Sequence, residues 1–220
     1  MRVLHFEEGS TTPLVATEYL DGAGKRGLPY TTSPKPPENY EVVTPLPTNA
    51  SGVFGENYQT VTYKYRRKNA GNMIFHHYEN GTMKDLYIPQ GETVPGPEII
   101  DGTKKLGLTH IFKGRTDIPH YVPYYSSLYS GDARDVGLVF TDFEQTVYFY
   151  YYRKDAQNVT AFYKEDLEDG TVINAVDPVT ISGAGKHGLP YTTEAKTIPN
   201  LELQTPLPTN KEGEFDDSPH

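Results

Sequence analysis

Residues Gln59–Tyr65, Gln-Thr-Val-Thr-Tyr-Lys-Tyr, alternate between apolar and polar with a period of two, which puts Val61, Tyr63 and Tyr65 on one face. That period predicts a β-strand with one buried side. Gln145–Tyr151 repeats the alternation with Val147, Phe149 and Tyr151. Here Tyr148, Tyr150 and Tyr152 occupy the opposite face, so both faces of this strand are expected to be buried. Shorter apolar runs at Val3–Phe6, Met73–Tyr78 and Val159–Tyr163 predict three opening strands. Each leads into an acidic turn that ends in glycine, as in Glu79-Asn80-Gly81 and Glu168-Asp169-Gly170. Asn-Gly and Asp-Gly tolerate the positive φ of tight hairpins. Pro36-Pro37 and Pro45-Leu46-Pro47 exclude helix and central strand where they fall. The pattern predicts a mainly β chain with at most a single helical turn, in the Gly-Lys-x-Gly-Leu-Pro-Tyr-Thr-Thr blocks.

The elements recur. GAGKRGLPYTT at 22–32 returns as GAGKHGLPYTT at 183–193, and TPLPTN at 44–49 returns at 205–210, both offset by 161 residues. Phe54 returns as Phe215 in the same register. A divergent copy lies between: GTKKLGLTH at 102–110 matches 22–30, and QTVYFYYYRK at 145–154 matches QTVTYKYRRK at 59–68. This middle copy carries two insertions, within 85–100 and within 121–137. The phasing predicts three tandem modules, 1–68, 69–154 and 155–220. The last stops just after its counterpart of Phe54, before its closing alternating strand, so either an unpaired edge is expected or the true module begins elsewhere than this phasing draws it.

Composition narrows the class. The 220 residues include 18 Tyr, 9 Phe, no Trp and no Cys, and mean hydropathy is −0.60. Small cores rich in tyrosine follow, each ring facing inward and its hydroxyl seeking a partner. Without cysteine there are no disulfides and no thiolate metal sites. A net charge of −9 argues against nucleic acid and against anionic lipid as partners. No apolar run is long enough to span a membrane. A signal peptide and a wall anchor are expected outside these residues.

Several motifs fall short of chemistry. GAGKRG lacks the Ser or Thr that follows lysine in a phosphate-binding loop, and Leu-Pro blocks a helix there. LPYTT lacks the final glycine of a Leu-Pro-x-Thr-Gly sorting signal. His76 and His77 are adjacent and point to opposite faces of a strand, so they cannot chelate together. No metal site, cofactor or catalytic set is expected.

The ordered set of an opening strand with acidic turn, GKxGLPYTT, TPxPTNxxGxF and QTVxYxY resembles the mucin-binding-protein (MucBP) repeat of bacterial surface adhesins. That resemblance implies a β-grasp-like module, repeats strung into a rod on the bacterial cell surface, and binding to host mucin or other glycoprotein glycans. It implies a non-enzymatic, monomeric fragment; the alternative is a stalk that projects a separate binding domain. Within the second insertion, Tyr121, Tyr124, Tyr125, Tyr129 and Arg134 are the expected ligand-binding residues, since aromatic rings with hydroxyls suit sugars. The competing role for these tyrosines is packing in an enlarged module or in a joint between modules.

Overall fold

A computed structural model of the chain describes residues 1–80, 86, 96–126 and 135–219, the side chain of Tyr125 excepted. The first copy supplies β1 (Arg2–Glu7), β2 (Glu18–Tyr19), β3 (Pro29–Thr31), β4 (Tyr40–Val42), β5 (Ser51–Val53) and β6 (Thr60–Arg67). The middle copy supplies β7 (Met73–Glu79), β8 (Glu98–Ile100), β9 (Thr109–Lys113), β10 (Tyr121–Ser126), β11 (Asp135–Val139) and β12 (Gln145–Arg153). The last supplies β13 (Val159–Asp166), β14 (Val172–Ile181), β15 (Pro190–Thr192) and β16 (Glu212–Glu214), with one 3-10 turn at Thr209–Lys211. The chain is mainly β, and that turn is the only helical element among the described residues. It sits beside the Pro206–Pro208 segment, whereas the Gly-Lys-x-Gly blocks form plain turns.

The two full sets share one topology. The first copy forms a sheet of order β2-β1-β6-β4 and a separate pair, β3 with β5. The middle copy gives β8-β7-β12-β10, and β9 with β11. The last keeps β13 with β14 and β15 with β16. In the first copy β1 and β6 run parallel, Val3 opposite Val61, while β2 and β4 add antiparallel edges. By packing, the chain divides into two compact units. One is Met1–Ile74 with Ile99–Ile111 and Gly137–Thr146; the other is Phe75–Glu98 with Phe112–Val136 and Val147–His220. The middle copy contributes to both.

In the first unit the core is Val3, Tyr30, Tyr40, Phe54, Val61, Tyr63 and Tyr65. The inward residues predicted for β6 are fully buried. Burying a phenol ring requires a partner for its hydroxyl. Tyr63 meets Thr32 Oγ1 at 2.8 Å. The Tyr65 oxygen accepts the Lys35 main-chain N–H at 2.7 Å and shares a second hydrogen bond with His5 Nδ1, also at 2.7 Å. His5 Nε2 lies 2.9 Å from Glu18 Oε1, whose carboxylate also holds Lys35 Nζ at 2.7 Å. These bonds keep the Glu18 carboxyl below its ordinary range, the Lys35 bond first among them.

The second unit repeats the relay. Arg115 N–H donates to Tyr151 OH at 3.3 Å and Tyr151 meets His77 Nδ1 at 2.9 Å, but the last link is not closed: His77 Nε2 approaches Glu98 Oε1 only to 3.4 Å and makes no hydrogen bond. Phe75 stacks on Phe112 at 3.8 Å between ring centres, with Phe149 against both. Burial, with the Arg115 and His76 charges adding to it, pushes the His77 imidazole down to about 4. The last copy has a smaller buried cluster, Val159, Tyr191 and Phe215.

Each unit also contains one repeated joint between successive copies. Arg67, at the end of β6, lies 4.6 Å from the Tyr40 ring centre, donates to the Tyr40 hydroxyl at 2.7 Å and to the Leu106 carbonyl at 2.9 Å. Arg153, at the end of β12, lies 4.5 Å from the Tyr121 ring centre, donates to the Tyr121 hydroxyl, and donates to the His187 carbonyl at 2.8 Å. Lys68 N–H donates to Asn39 O, and Lys154 N–H to His120 O, both at 2.8 Å. Asn39 and His120 adopt left-handed backbone, φ 65° and 62°. Glycine faces each: a Cβ on Gly107 would come within 2.4 Å of Asn39, and one on Gly188 within 2.6 Å of His120. The Gly-Lys-x-Gly loop is thus the surface that receives the preceding copy. On Gly27, its counterpart in the first copy, a Cβ would meet nothing within 4 Å.

One segment needs placing and one expectation needs correction. The second insertion begins with strand β10, with Tyr121 opposite Arg153 and Val122 opposite Tyr152. It extends the role of β4, and the register shifts between Pro123 and Tyr125 because proline cannot donate to the ladder. The rest of that insertion, 127–134, and most of the first lie outside the described residues. The outer face of β12 is not buried throughout: Tyr152 is 44% exposed, and Tyr148 and Tyr150 are half-buried.

Two outcomes follow. Arg153→Ala removes a charge-assisted hydrogen bond and a cation–π contact, and should cost about 2–4 kcal/mol in denaturant unfolding. Arg66→Ala, which breaks an exposed pair with Glu41, should leave the unfolding midpoint where it is. The second concerns acid. An unfolded histidine binds its proton near pH ~6.5, and folded His77 only near 4. Between those values the unfolded chain holds more protons, so stability contributed by neutral His77 is present above about pH 6.5 and lost as pH falls toward 4. His77→Gln should flatten the slope of unfolding free energy against pH in that window by up to about one proton. An unchanged slope would contradict the assignment.

Candidate functional site: an aromatic face on the middle copy

β6 and β12 are the same strand, 86 residues apart, and differ on one side only. Inward, Val61, Tyr63 and Tyr65 become Val147, Phe149 and Tyr151, all buried. Outward, Thr62, Lys64 and Arg66 become Tyr148, Tyr150 and Tyr152. The core therefore does not require aromatics at the outward positions, since the first copy builds an equivalent core with Thr, Lys and Arg there. Three large rings on the outer side of a sheet place apolar surface where the first copy has polar side chains.

Neighbouring strands extend the surface. On β7 the outward residues are His76 and Tyr78. The His76 and Tyr78 rings lie 5.7 Å apart, His76 and Tyr148 5.4 Å, and Tyr78 and Tyr148 5.6 Å, each pair within 25° of parallel. On β10, Tyr124 is 46% exposed and lies 4.3 Å from Tyr152 between ring centres. The result is a shallow row of rings with hydroxyls at its edges. Rings of this kind present an apolar, electron-rich face to C–H groups, while phenol oxygens donate and accept at the rim. His77, one residue from His76, points the other way into the core.

The residues expected from sequence separate here. Tyr124 lies on the face. Tyr121 does not: it is 1% exposed and sits beneath Arg153 in the joint, which is the packing role weighed against ligand binding. The Tyr125 side chain, Tyr129 and Arg134 lie outside the described residues. His76, Tyr78, Tyr148, Tyr150 and Tyr152 were not expected at a site. Comparing the outward positions of the two copies of one strand would have found three of them. No group of three or more His, Asp or Glu positioned to hold a metal ion occurs among the described residues.

The model of the MucBP domain matches residues 6–66 and 158–220, together more than half of the chain. The chain belongs to the MucBP domain family. Over 215 residues, 96% of its length, it is 29% identical to Internalin J of Listeria monocytogenes, and it spans 22% of that protein. β7, β10 and β12 all fall between the two MucBP matches, so the aromatic face is carried by the segment that departs most from the family pattern.

Proposed function

We propose that this MucBP segment is part of a bacterial surface adhesin that binds host mucin or other glycoprotein glycans, with the aromatic face of the middle copy as contact surface. The exchange of Thr62, Lys64 and Arg66 for Tyr148, Tyr150 and Tyr152 carries the reading. A sugar ring laid on Tyr152 and Tyr124 would stack its C–H face and hydrogen-bond at the edges. Among the described residues the rings form a shallow surface, so each contact is weak and repetition along a longer protein supplies avidity. We also read the order of first strand parallel to closing strand, with antiparallel edges, as a β-grasp sheet without its helix. The joints at Arg67 and Arg153 favour a second role, holding successive copies in fixed succession as a stalk.

The test is mucin binding by the full chain and by Tyr124→Ala and Tyr152→Ala variants. Both side chains are substantially exposed, so stability should change by no more than about 0.5 kcal/mol. Binding should fall about 3–10-fold for each. Because the chain carries −9, added salt should leave binding unchanged or strengthen it slightly. Retained folding with unchanged mucin binding in both variants would favour the stalk role, and a steep loss with salt would point to a basic patch instead.

A further inference from the structure

The two joints between copies share one backbone clasp and differ in the side chains pressed into it. In the first, Lys68 N–H donates to Asn39 O at 2.8 Å and Leu106 N–H to Lys68 O at 3.2 Å. In the second, Lys154 N–H donates to His120 O at 2.8 Å and His187 N–H to Lys154 O at 3.1 Å. Asn39 and Leu106 are thus exchanged for His120 and His187, at the two places that face each other across the joint. Both imidazoles are half-buried, with ring centres 4.9 Å apart and Nδ1 facing Nδ1 at 2.7 Å.

A hydrogen bond between two ring nitrogens needs a proton on one and a lone pair on the other. A neutral imidazole offers one of each, and an imidazolium offers donors alone. The His120–His187 bond therefore forms when both rings are neutral or when one is charged, and not when both are. With two protons, the two Nδ1–H groups would point at each other and like charges would stand in contact. The Arg153 guanidinium, which donates to the His187 carbonyl, already brings one positive charge to this joint. Asp217 Oδ1 lies on the far side of the His187 ring, 3.5 Å from Nε2, and is largely exposed. Lys154 is exposed, and Lys186 Nζ lies over the Phe215 ring. On the loop before His120, Arg115 and Asp117 pair with each other.

We propose that the joint between the middle and last copies is an acid-released switch, clasped while His120 and His187 hold at most one proton between them and opened when both rings are charged. A histidine free in water binds its proton near pH ~6.5, so below that value the open joint holds two protons and the closed joint one. The extra proton favours opening. The clasp is at full strength above about pH 6.5 and weakens as pH falls, by up to about tenfold per pH unit. The first joint, with Asn39 and Leu106 in the same places, has no such pair and stays clasped. Acid then frees the last copy from the middle one and leaves the first joint as it was. This inference does not depend on what the aromatic face binds.

The test is amide hydrogen exchange on the full chain at about pH 7 and about pH 5, with each amide scaled to its intrinsic rate at that pH. Lys154 and His187, the donors of the second clasp, should lose about tenfold or more of their protection in acid. Lys68 and Leu106, the donors of the first, should change by less than about twofold. His120→Asn puts the first joint's residue on the same left-handed backbone, and should keep the fold and remove the acid loss at Lys154 and His187. His187→Leu, the other exchange, should do the same. In both variants His77 still titrates, so a loss caused by unfolding of the whole unit would persist. Acid loss at Lys154 and His187 that survives in both variants would overturn the proposal. So would equal losses in the two clasps, or unchanged protection of the second.

Discussion

Parallel strands cannot be joined by a tight turn; the chain must leave the sheet and return. In the first copy that excursion separates β1 from β6, and it contains no helix to cover the sheet. The core must then come from the strands themselves and from the loop that crosses them. Val61, Tyr63 and Tyr65 supply it, and their phenols dictate where the crossing loop lies. Thr32, the last residue of the Leu-Pro-Tyr-Thr-Thr block, and Lys35 just beyond it are held by those hydroxyls. The relay through His5 to Glu18 ties the second hairpin strand to the same point. One parallel pair thus fixes the hairpin, the crossing loop and the core.

The closing strand also carries the next copy. It ends in Arg67 or Arg153, each spanning from a tyrosine of its own copy to a carbonyl of the following one. Contacts across the joint add to what local conformation asks, for Gly107 and Gly188 already have φ of 78° and 76°. The glycines of the Gly-Lys-x-Gly loop are needed where Asn39 and His120 press against them, and the tyrosines at 40 and 121 are needed where an arginine stacks. In the last copy, where no described strand closes the sheet, leucine stands at 201 in the place of tyrosine.

The strands and the repeat were legible in the sequence because period-two alternation and exact block offsets are local signals. The opening strands at Val3, Met73 and Val159 and the closing strands at Thr60 and Gln145 lie where the alternation predicts them. Tertiary placement was not legible. A tyrosine reads alike whether it lies under an arginine, as Tyr121 does, or on a solvent face, as Tyr124 does. The relays through His5 and His77 join residues that share no local motif. The aromatic face was misjudged because alternation assigns sides of a strand without saying what covers the second side; only the contrast with Thr62, Lys64 and Arg66 shows that packing does not demand rings there.

The claim that the closing strand completes each sheet is open to one direct measurement, amide hydrogen exchange across the full chain. Residues Arg2–Glu7, paired on both edges, should exchange only through large-scale unfolding of the first copy. Residues Val159–Asp166, paired on one edge, should exchange through local opening and at least about a hundredfold faster. Equal protection of the two strands would contradict the account, since β13 would then be held by something other than a closing strand.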